Sequence, residues 1–438
     1  MSCDSHWEEN VSLADGNKWK PHKKYRPVSL TPLTSKVMEH IVYCQISRHL
    51  STNRIISPHQ HGFQPGLSCE TQLITVIYEW ALVLNVHGQV DVTFLDFAKA
   101  FDSVHHERLL LKADYYGIRN KTNTWLQSFL TGRSQRAVIH GSASSWSPVI
   151  SGVPQGTVLG PNLFLMFTYD LPTNTTSGIK LFADDCVLYR PINSVSDHFA
   201  LQRDLDQLEK WAYTWQMKFA TTKCFVMSVP LKNSPSQFSY SLCNAQLDGA
   251  CHQKYLGVYI TCALSWQLQC DEAKKKAMRV LKILQRNLSS RDRSVKTRAY
   301  LSLVRPTVEY ATVAWSPHTN KWIDCIESVQ RRAARFVNSD YNRYGSVSSM
   351  LTDLNWPSLQ SRRRICDLGM FYKIHRGHVN ISLPYDLTSV PAYGRTRTKH
   401  DFKIRLPSSS VDVYKHSFYV RSIPTWNAFS ADVVSSAS

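Results

Sequence analysis

Two adjacent carboxylates, Asp184 and Asp185, stand in an apolar stretch of this 438-residue chain. They lie within KLFADDCVLY, whose apolar flanks predict two short strands joined by a tight turn. Because Asp tolerates turn geometry, we expect the two acids at the tip of a hairpin. Neighbouring anions in apolar surroundings need a compensating cation, and a hard divalent metal such as Mg²⁺ takes carboxylate oxygens. A solvated Asp-Asp turn is the alternative for this pair taken alone.

A third carboxylate follows another predicted strand. The segment Gln89–Asp96 has the apolar content of a strand and ends on Asp96. This places the carboxylate at the carboxyl end of the strand, where catalytic groups of α/β sheets often lie. If Asp96 met Asp184 and Asp185 on neighbouring antiparallel strands, the three acids could hold two metal ions for nucleotidyl transfer.

Polar residues beyond Asp96 have simpler interpretations. Asp102, with Ser103, has the residue types that cap a helix beginning near His105, and a functional role for Asp102 is the equally weighted alternative. His105 and His106 are adjacent and cannot share one helix face, so both are expected at the surface.

Two further segments could contact a ligand. The loop SGVPQGTVLGP at 151–161 is rich in Gly and Pro, which lets backbone approach a ligand closely; a purely structural loop is the alternative. Residues 18–30 are basic and stiffened by Pro, and Arg26 there offers a bidentate fork to phosphate. An exposed basic loop is the alternative for that segment.

Charge is distributed unevenly along the chain, whose formal net charge is +18. Residues 1–230 hold 21 Lys and Arg against 19 Asp and Glu, whereas residues 231–438 hold 30 against 14. A basic half of this kind predicts a polyanionic partner.

The 11 Cys include no CxxC pair, which argues against a disulfide framework or a zinc finger. With no secretory leader or membrane-length apolar run, we expect an intracellular protein with no membrane contact.

Helical patterns surround these segments. Apolar spacing predicts helices over 34–50, over 69–86 with Ser68 as its cap, and over 195–217, and it predicts a short strand over 255–260. The helix predicted over 271–290 has one Ala/Leu face, and basic residues occupy the rest. One such helix usually has a solvated basic face, but several in succession favour a nucleic-acid grip. The basic residues of this helix are Lys274, Lys275, Lys276, Arg279, Lys282 and Arg286.

Six blocks occur in order along the chain: YRPVSL, QHGFQPG, FLDFAKAFDSVHHERL, SGVPQGTVLGP, FADD and YLGV. This series resembles the fingers and palm motifs of reverse transcriptases, most closely those of non-LTR (LINE-type) retrotransposons of the jockey-like group. The resemblance implies an α+β right-hand polymerase fold with an antiparallel palm sheet. Its regions would be a ragged start with truncated fingers over 1–24, fingers and palm over 25–262, a basic helical thumb over 263–345 and a basic C-terminal region over 346–438.

The resemblance also implies roles for individual residues. Asp96, Asp184 and Asp185 match the catalytic acids, and with the Phe97 carbonyl they would hold two Mg²⁺ ions, with Mn²⁺ as the alternative metal. Phe101 matches a bulky gate that leaves no room for a 2′-hydroxyl and so selects dNTPs. The other matches contact nucleotide or nucleic acid: Gln155 and Gly156 beside nucleotide and template, Arg26 and Lys24 on the triphosphate, Lys223 near the leaving pyrophosphate, and Tyr255 and Gly257 in the primer-grip hairpin.

The implied activity is RNA-directed DNA synthesis: addition of dNTPs to a primer 3′ hydroxyl. The implied partners are an RNA template, a DNA primer and their duplex, held along the basic helix in a nuclear or cytoplasmic ribonucleoprotein. Departures from the family pattern leave a second hypothesis, a catalytically inactive nucleic-acid-binding descendant of a retroelement or a relic fragment. Gln64 and Leu67 stand where arginines are usual, the fingers before Tyr25 are short, and we expect no endonuclease domain and no Cys/His knuckle. An RNA-directed RNA polymerase is the nearest enzymatic alternative.

Overall fold

The computed structural model describes residues 29, 31–136, 142–231, 238–289, 292–342, 344–387 and 402–435, with backbone alone at 7–10 and 137–139. Among these residues no helix is both long and apolar enough to cross a bilayer. All ten cysteines in the described part of the chain are free thiols.

Thirteen strands lie in the described segments. They are β1 Trp7–Asn10, β2 Gln89–Leu95, β3 Ser134–Ile139, β4 Ser142–Ala143, β5 Ser147–Pro148, β6 Gly178–Phe182, β7 Asp185–Ile192, β8 Phe225–Pro230, β9 Ser241–Leu242, β10 Ala245–Gln246, β11 Asp248–Gly249, β12 His252–Tyr255 and β13 Val258–Thr261.

Fifteen α-helices accompany these strands within the same segments. They are α1 Leu33–Thr52, α2 Cys69–Asn85, α3 His106–Tyr115, α4 Asn120–Leu130, α5 Leu159–Thr168, α6 Val195–Trp215, α7 Gln267–Asn287, α8 Arg293–Ala299, α9 Arg305–Glu309, α10 Asn320–Asn338, α11 Val347–Asp353, α12 Leu359–His375, α13 Asp412–Lys415, α14 Phe418–Ala428 and α15 Ala431–Ser435.

A five-stranded sheet in the order β11-β8-β2-β7-β6 forms the centre of the molecule. Its middle strand β2 pairs antiparallel with β7 on one side and with β8 on the other. β2 is almost wholly buried because helices cover both faces of the sheet. The carboxylate of its buried Asp91 accepts hydrogen bonds from Tyr240 at 2.7 Å and Gln89 at 2.8 Å.

The two faces of the sheet belong to different cores. Alternate residues of β2, such as Val92 and Phe94, pack with α2, the β12–β13 hairpin and the helices from α7 onward. On the other face Leu95 packs with α1 and with α3 to α6. The groups that project from the end of β2 are therefore held by two cores at once.

The helices that follow the sheet share the first of these cores. Helix α7 buries Ala273, Ala277 and Leu281, which recur every four residues, and turns its charged residues outward. The C-terminal helices return to α2, where the Tyr78 hydroxyl donates to Asp386 at 2.7 Å. One core thus crosses the boundaries predicted at residues 262 and 345, which remain predictions.

Candidate active site

The two adjacent aspartates lie at the tip of a hairpin, as the sequence predicts. Strands β6 and β7 pair from Gly178–Tyr189 up to Phe182–Asp185, which leaves only Ala183 and Asp184 in the turn. Ala183 adopts a positive φ of 55°, a conformation that an alanine rarely takes unless its surroundings hold it. The residues around the hairpin tip therefore fix its backbone conformation.

Asp96 and Asp185 are brought together by the register of two neighbouring strands. Leu95 of β2 pairs with Cys186 of β7, so the next residues outward, Asp96 and Asp185, stand opposite each other. Directly opposite residues of antiparallel strands have Cα atoms about 4.5–5.5 Å apart. Both aspartates line one cavity of about 250 Å³. The expected meeting of these two carboxylates is present in the fold.

Asp184 lies in the turn and is half-buried, and it is not among the residues that line this cavity. No group of three or more Asp, Glu, His or Cys side chains is arranged as a ready metal site in the segments that the structure describes. Instead, the Lys223 ammonium forms an ion pair of 2.6 Å with Asp96 Oδ2. The Lys223 side chain is 63% exposed, so this pair is weak and readily exchanged for another cation.

The backbone after β2 is held from the side opposite the hairpin tip. Phe97 forms a β-bridge with Phe219, in which Ala220 N donates to the Asp96 carbonyl at 2.8 Å and Ala98 N donates to the Lys218 carbonyl at 2.7 Å. Because bonding groups alternate along a strand, the carbonyl of Phe97 itself points away from this segment, towards the β7 side. Two carboxylates with one backbone carbonyl are a donor set that suits a hard divalent cation.

Gln60 is a supporting residue that sequence reasoning missed. Its buried side-chain oxygen accepts from Ala183 N at 2.9 Å and from Gly62 N at 2.8 Å. The segment around it pairs with the outer edge of β6, where His61 N donates to the Leu181 carbonyl at 2.8 Å. A Cβ on Gly62 would lie 2.4 Å from Ala183 N, so only glycine permits this approach. The signal in the sequence for this role was the Gly-containing QHGFQPG block. It could not show the partner of Gln60, because Ala183 lies 123 residues further along the chain.

Three aromatic rings contact one another and form a wall around Phe101, the predicted gate residue. Phe101 stacks on Phe164 with ring centroids 4.4 Å apart, and Phe63 meets Phe101 edge-on at 6.4 Å. Phe63 is 55% exposed and has a positive φ of 55°, which is unusual for a bulky residue. Phe101 is therefore a fixed ring backed by the core.

The Gly/Pro-rich loop packs against the residues that follow Asp96. Gln155 donates from Nε2 to Asp102 Oδ1 at 2.9 Å, while Gly156 is exposed.

The expectation that Asp102 caps a helix is wrong, because α3 begins at His106 without a side-chain cap. His106 was also wrongly expected at the surface: it is buried, and Nε2 donates to the Gly152 carbonyl at 2.8 Å. Burial lowers the pKa of His106.

This site lies within a segment that matches a known family. The family model described as reverse transcriptase (RNA-dependent DNA polymerase) matches residues 18–260, more than half of the chain. The chain belongs to the reverse transcriptase family. Membership confirms the expected α+β right-hand polymerase fold, and this family uses divalent metal ions.

Curated relatives refine the position of this reverse transcriptase within the family. The chain is 29% identical to the probable RNA-directed DNA polymerase from transposon X-element of Drosophila melanogaster, over 76% of this chain and 38% of that one. It is 31% identical to the RNA-directed DNA polymerase from mobile element jockey of Drosophila funebris, over 78% and 38%. These matches confirm the jockey-like resemblance. The chain spans well under half of the length of either relative.

The hairpin predicted as the primer grip forms one side of the cavity. The segment 255–260, expected to be one strand, is instead a turn and two strand ends, because Tyr255 of β12 pairs with Val258 of β13. Gln253, Lys254 and Tyr255 line the cavity that holds the aspartates. The contact of Tyr255 with nucleic acid stays a prediction: the residue lines the cavity but is only 4% exposed, and its hydroxyl accepts from Gln72. Its ring positions the hairpin from within the core.

The remaining predicted contacts lie along α7 or before α1. On α7, Lys275, Lys276, Arg279, Lys282 and Arg286 are exposed, while Lys274 is half-buried. Glu272 accepts from Lys275 at 2.7 Å, and its pKa is lowered chiefly by that bond, with a smaller contribution from Lys254 of the hairpin. The basic face therefore begins beside the hairpin. Arg26 and Lys24 lie outside the described residues.

Proposed function

We propose that this chain is an RNA-directed DNA polymerase, from a retrotransposon, that adds dNTPs to the 3′ hydroxyl of a primer. One observation carries the proposal: Asp96 and Asp185 stand opposite each other on adjacent strands and line one cavity with Lys223, in a chain of the reverse transcriptase family. In this arrangement the Lys223 ammonium compensates the negative charge of the Asp96 carboxylate. A phosphoryl-transfer centre likewise needs cations to compensate its negative charge.

Asp96, Asp184, Asp185 and the Phe97 carbonyl would hold two divalent ions, Mg²⁺ or Mn²⁺. When bound, such ions lower the pKa of an attacking hydroxyl and neutralise charge on a triphosphate. Lys223 then exchanges its bond to Asp96 for the leaving pyrophosphate, which its exposed and weak ion pair permits. Asp184 contributes from the turn, where the Gln60 clamp fixes the backbone of Ala183.

Selection of the substrate falls to the aromatic wall and the loop. Phe101 is held by stacking on Phe164, so its ring cannot retreat from a 2′-hydroxyl and favours dNTPs over NTPs. Gln155 and Gly156 lie next to Phe101 through the bond to Asp102, and they position the nucleotide and the template base. Arg26 and Lys24 are proposed to contact the triphosphate on sequence grounds alone.

The partners that fit this activity are an RNA template and a DNA primer. Helix α7 presents its basic face beside the hairpin, where it would follow the backbone of the RNA–DNA duplex through phosphate contacts. Gly257 in the hairpin turn is exposed and is proposed to face the primer strand. These substrates place the reaction in the nucleus or cytoplasm.

Copying of a primed RNA template tests the proposal directly. Wild type, Asp185→Asn and the control Asp353→Asn, an exposed residue at the end of α11, are supplied with Mg²⁺ and either dNTPs or NTPs. We expect DNA from wild type and control, and a loss of about 10³-fold or more in Asp185→Asn, because bound metal contributes several kcal/mol to such reactions. A wild type that binds the duplex but makes no product favours the inactive descendant, and RNA product favours an RNA polymerase.

A further inference from the structure

Tyr310, immediately after α9, reaches back from the helical region to the hairpin beside the cavity. Its hydroxyl donates to the carbonyl of Leu256 at 3.0 Å, across 54 residues of chain. Leu256 and Gly257 are the two turn residues between β12 and β13. Tyr310 thus bonds the hairpin at its turn, where the hairpin itself leaves a carbonyl to be satisfied.

The turn has a conformation that depends on outside support. Leu256 has φ of 45° and Gly257 has φ of 83°, the two positive angles of a type I′ turn. The first position of such a turn is usually Asn, Asp or Gly, and a leucine stays there only when its surroundings hold it. A Cβ added to Gly257 would lie 2.8 Å from a ring carbon of Tyr310. The Tyr310 ring is therefore in close contact with Gly257, while the Tyr310 hydroxyl bonds the carbonyl of the strained Leu256.

The position of Tyr310 is itself fixed by the core. Trp315 is fully buried, and its Nε1 donates to the Tyr310 carbonyl at 2.9 Å. Ala311 follows with a positive φ of 52°, which turns the chain directly after the tyrosine. Burial, then the neighbouring Cys69 and Glu70, raise the pKa of Tyr310 to about 12. The hydroxyl therefore remains a donor throughout the physiological range.

The strand that leads into this turn borders the aspartates. Gln253, Lys254 and Tyr255 of β12 line the cavity together with Asp96 and Asp185. A shift of the turn is transmitted along a strand only four residues long to this cavity edge. In the described helical region beyond residue 263, the Tyr310 side chain forms a hydrogen bond to this turn.

We propose that Tyr310 is a positioning residue that fixes the β12–β13 turn and, through it, the primer 3′ end relative to Asp96 and Asp185. This inference rests on the proposed polymerase function. It goes beyond that function by assigning alignment of the primer end to a residue outside the six sequence blocks. The duplex itself is held by many phosphate contacts, so its affinity should depend little on this one bond.

Pre-steady-state incorporation of one dNTP, with primed RNA template in excess of protein, separates alignment from folding because the burst gives both a rate constant and the fraction of active protein. Tyr310→Phe keeps the ring and removes the hydroxyl, and Tyr344→Phe is the matched control because Tyr344 is 94% exposed. We expect the rate constant of Tyr310→Phe to fall about threefold to tenfold, the effect of one lost hydrogen bond. Burst amplitude, duplex affinity and thermal unfolding should stay at wild-type values in both variants.

A second variant perturbs the same turn from within the hairpin. Gly257→Ala strains the backbone, because φ at Gly257 is +83°, and forces its methyl group against the Tyr310 ring. Because both residues act on one turn, its rate loss and that of Tyr310→Phe should be less than multiplicative in the double variant. A wild-type rate for Tyr310→Phe, or a lower burst amplitude at an unchanged rate, overturns the positioning role and leaves the polymerase proposal intact. Absence of product from wild type overturns both.

Discussion

The contact between Gly62 and the hairpin tip gives a sharp prediction for Gly62→Ala. The added Cβ would lie 2.4 Å from Ala183 N, whereas ordinary contact begins at 3.4 Å. The hairpin tip that carries Ala183 and Asp184 must therefore retreat by about 1 Å, the difference between these distances. Gly62 lies outside the left-handed backbone region, so alanine brings a methyl group without added backbone strain.

The expected effect falls mainly on the reaction rate. A misplacement of about 1 Å at a reacting centre lowers rates by about 10²-fold, equivalent to about 2.7 kcal/mol of activation free energy. Overpacking of this size lowers the free energy of unfolding by about 1–3 kcal/mol, which leaves most of the protein folded. The methyl group also pushes on the clamp in which Gln60 accepts from both Gly62 N and Ala183 N.

The assay pairs single-turnover dNTP incorporation with chemical unfolding of the same preparations. Gly249→Ala is the matched control, because a Cβ at Gly249 of β11 meets nothing within 4 Å and its φ is also outside the left-handed region. The control should keep the wild-type rate. A Gly62→Ala rate within about threefold of wild type, or a loss explained wholly by unfolded protein, would refute the reasoning that links this contact to catalysis.

Three further variants test other parts of the proposed mechanism and of the fold. Phe101→Ala should relax the preference for dNTPs over NTPs by about tenfold or more, in competition assays where Phe199→Ala, an exposed aromatic, serves as control. Replacing Lys276 and Arg279 of α7 by Gln should weaken duplex binding and reduce its logarithmic salt slope by about 1.5. Burial lowers the pKa of His61 from its ordinary value of 6.5 to about 4. Between these two pH values the unfolded state binds the proton first, so the free energy of unfolding falls by about 3 kcal/mol as the pH falls to 4. His61→Gln should remove that part of the acid dependence in urea unfolding between pH 7 and pH 4.5.

Each of these predictions has its own contrary result. Unchanged sugar selectivity in Phe101→Ala would remove the gate assignment. A salt slope equal to that of wild type would mean that the duplex does not follow α7. An identical dependence of unfolding free energy on pH in His61→Gln and wild type would mean that His61 is not held neutral in the fold.

Local patterns predicted much of the fold because they are governed by local physics. Alternating and continuous apolar runs identified β2, β6 and β7, and the Ser68 cap of α2 is confirmed by its reciprocal bonds with Thr71. Strand-end placement of Asp96 needed only the end of an apolar run. The hairpin tip followed from two acids between two such runs.

Long-range contacts decided what sequence reasoning missed. The Tyr255 ring packs against Phe94 at 5.5 Å because the hairpin folds onto the sheet, and no local pattern indicates this contact. His106 lies on a helix start that happens to face the 151–161 loop, which no local pattern encodes. Gln60 gains its role from a turn 123 residues away, and only a glycine two residues later hinted at close packing.

The central claim is that Asp96 and Asp185 jointly hold the divalent ions at the site of synthesis. Electron paramagnetic resonance can count Mn²⁺ bound to the protein with an RNA template, a dideoxy-terminated primer and the next dNTP. The account predicts two tightly bound ions in wild type and in Asp353→Asn, and fewer in both Asp96→Asn and Asp185→Asn. Wild-type stoichiometry and affinity in the last two variants would contradict it.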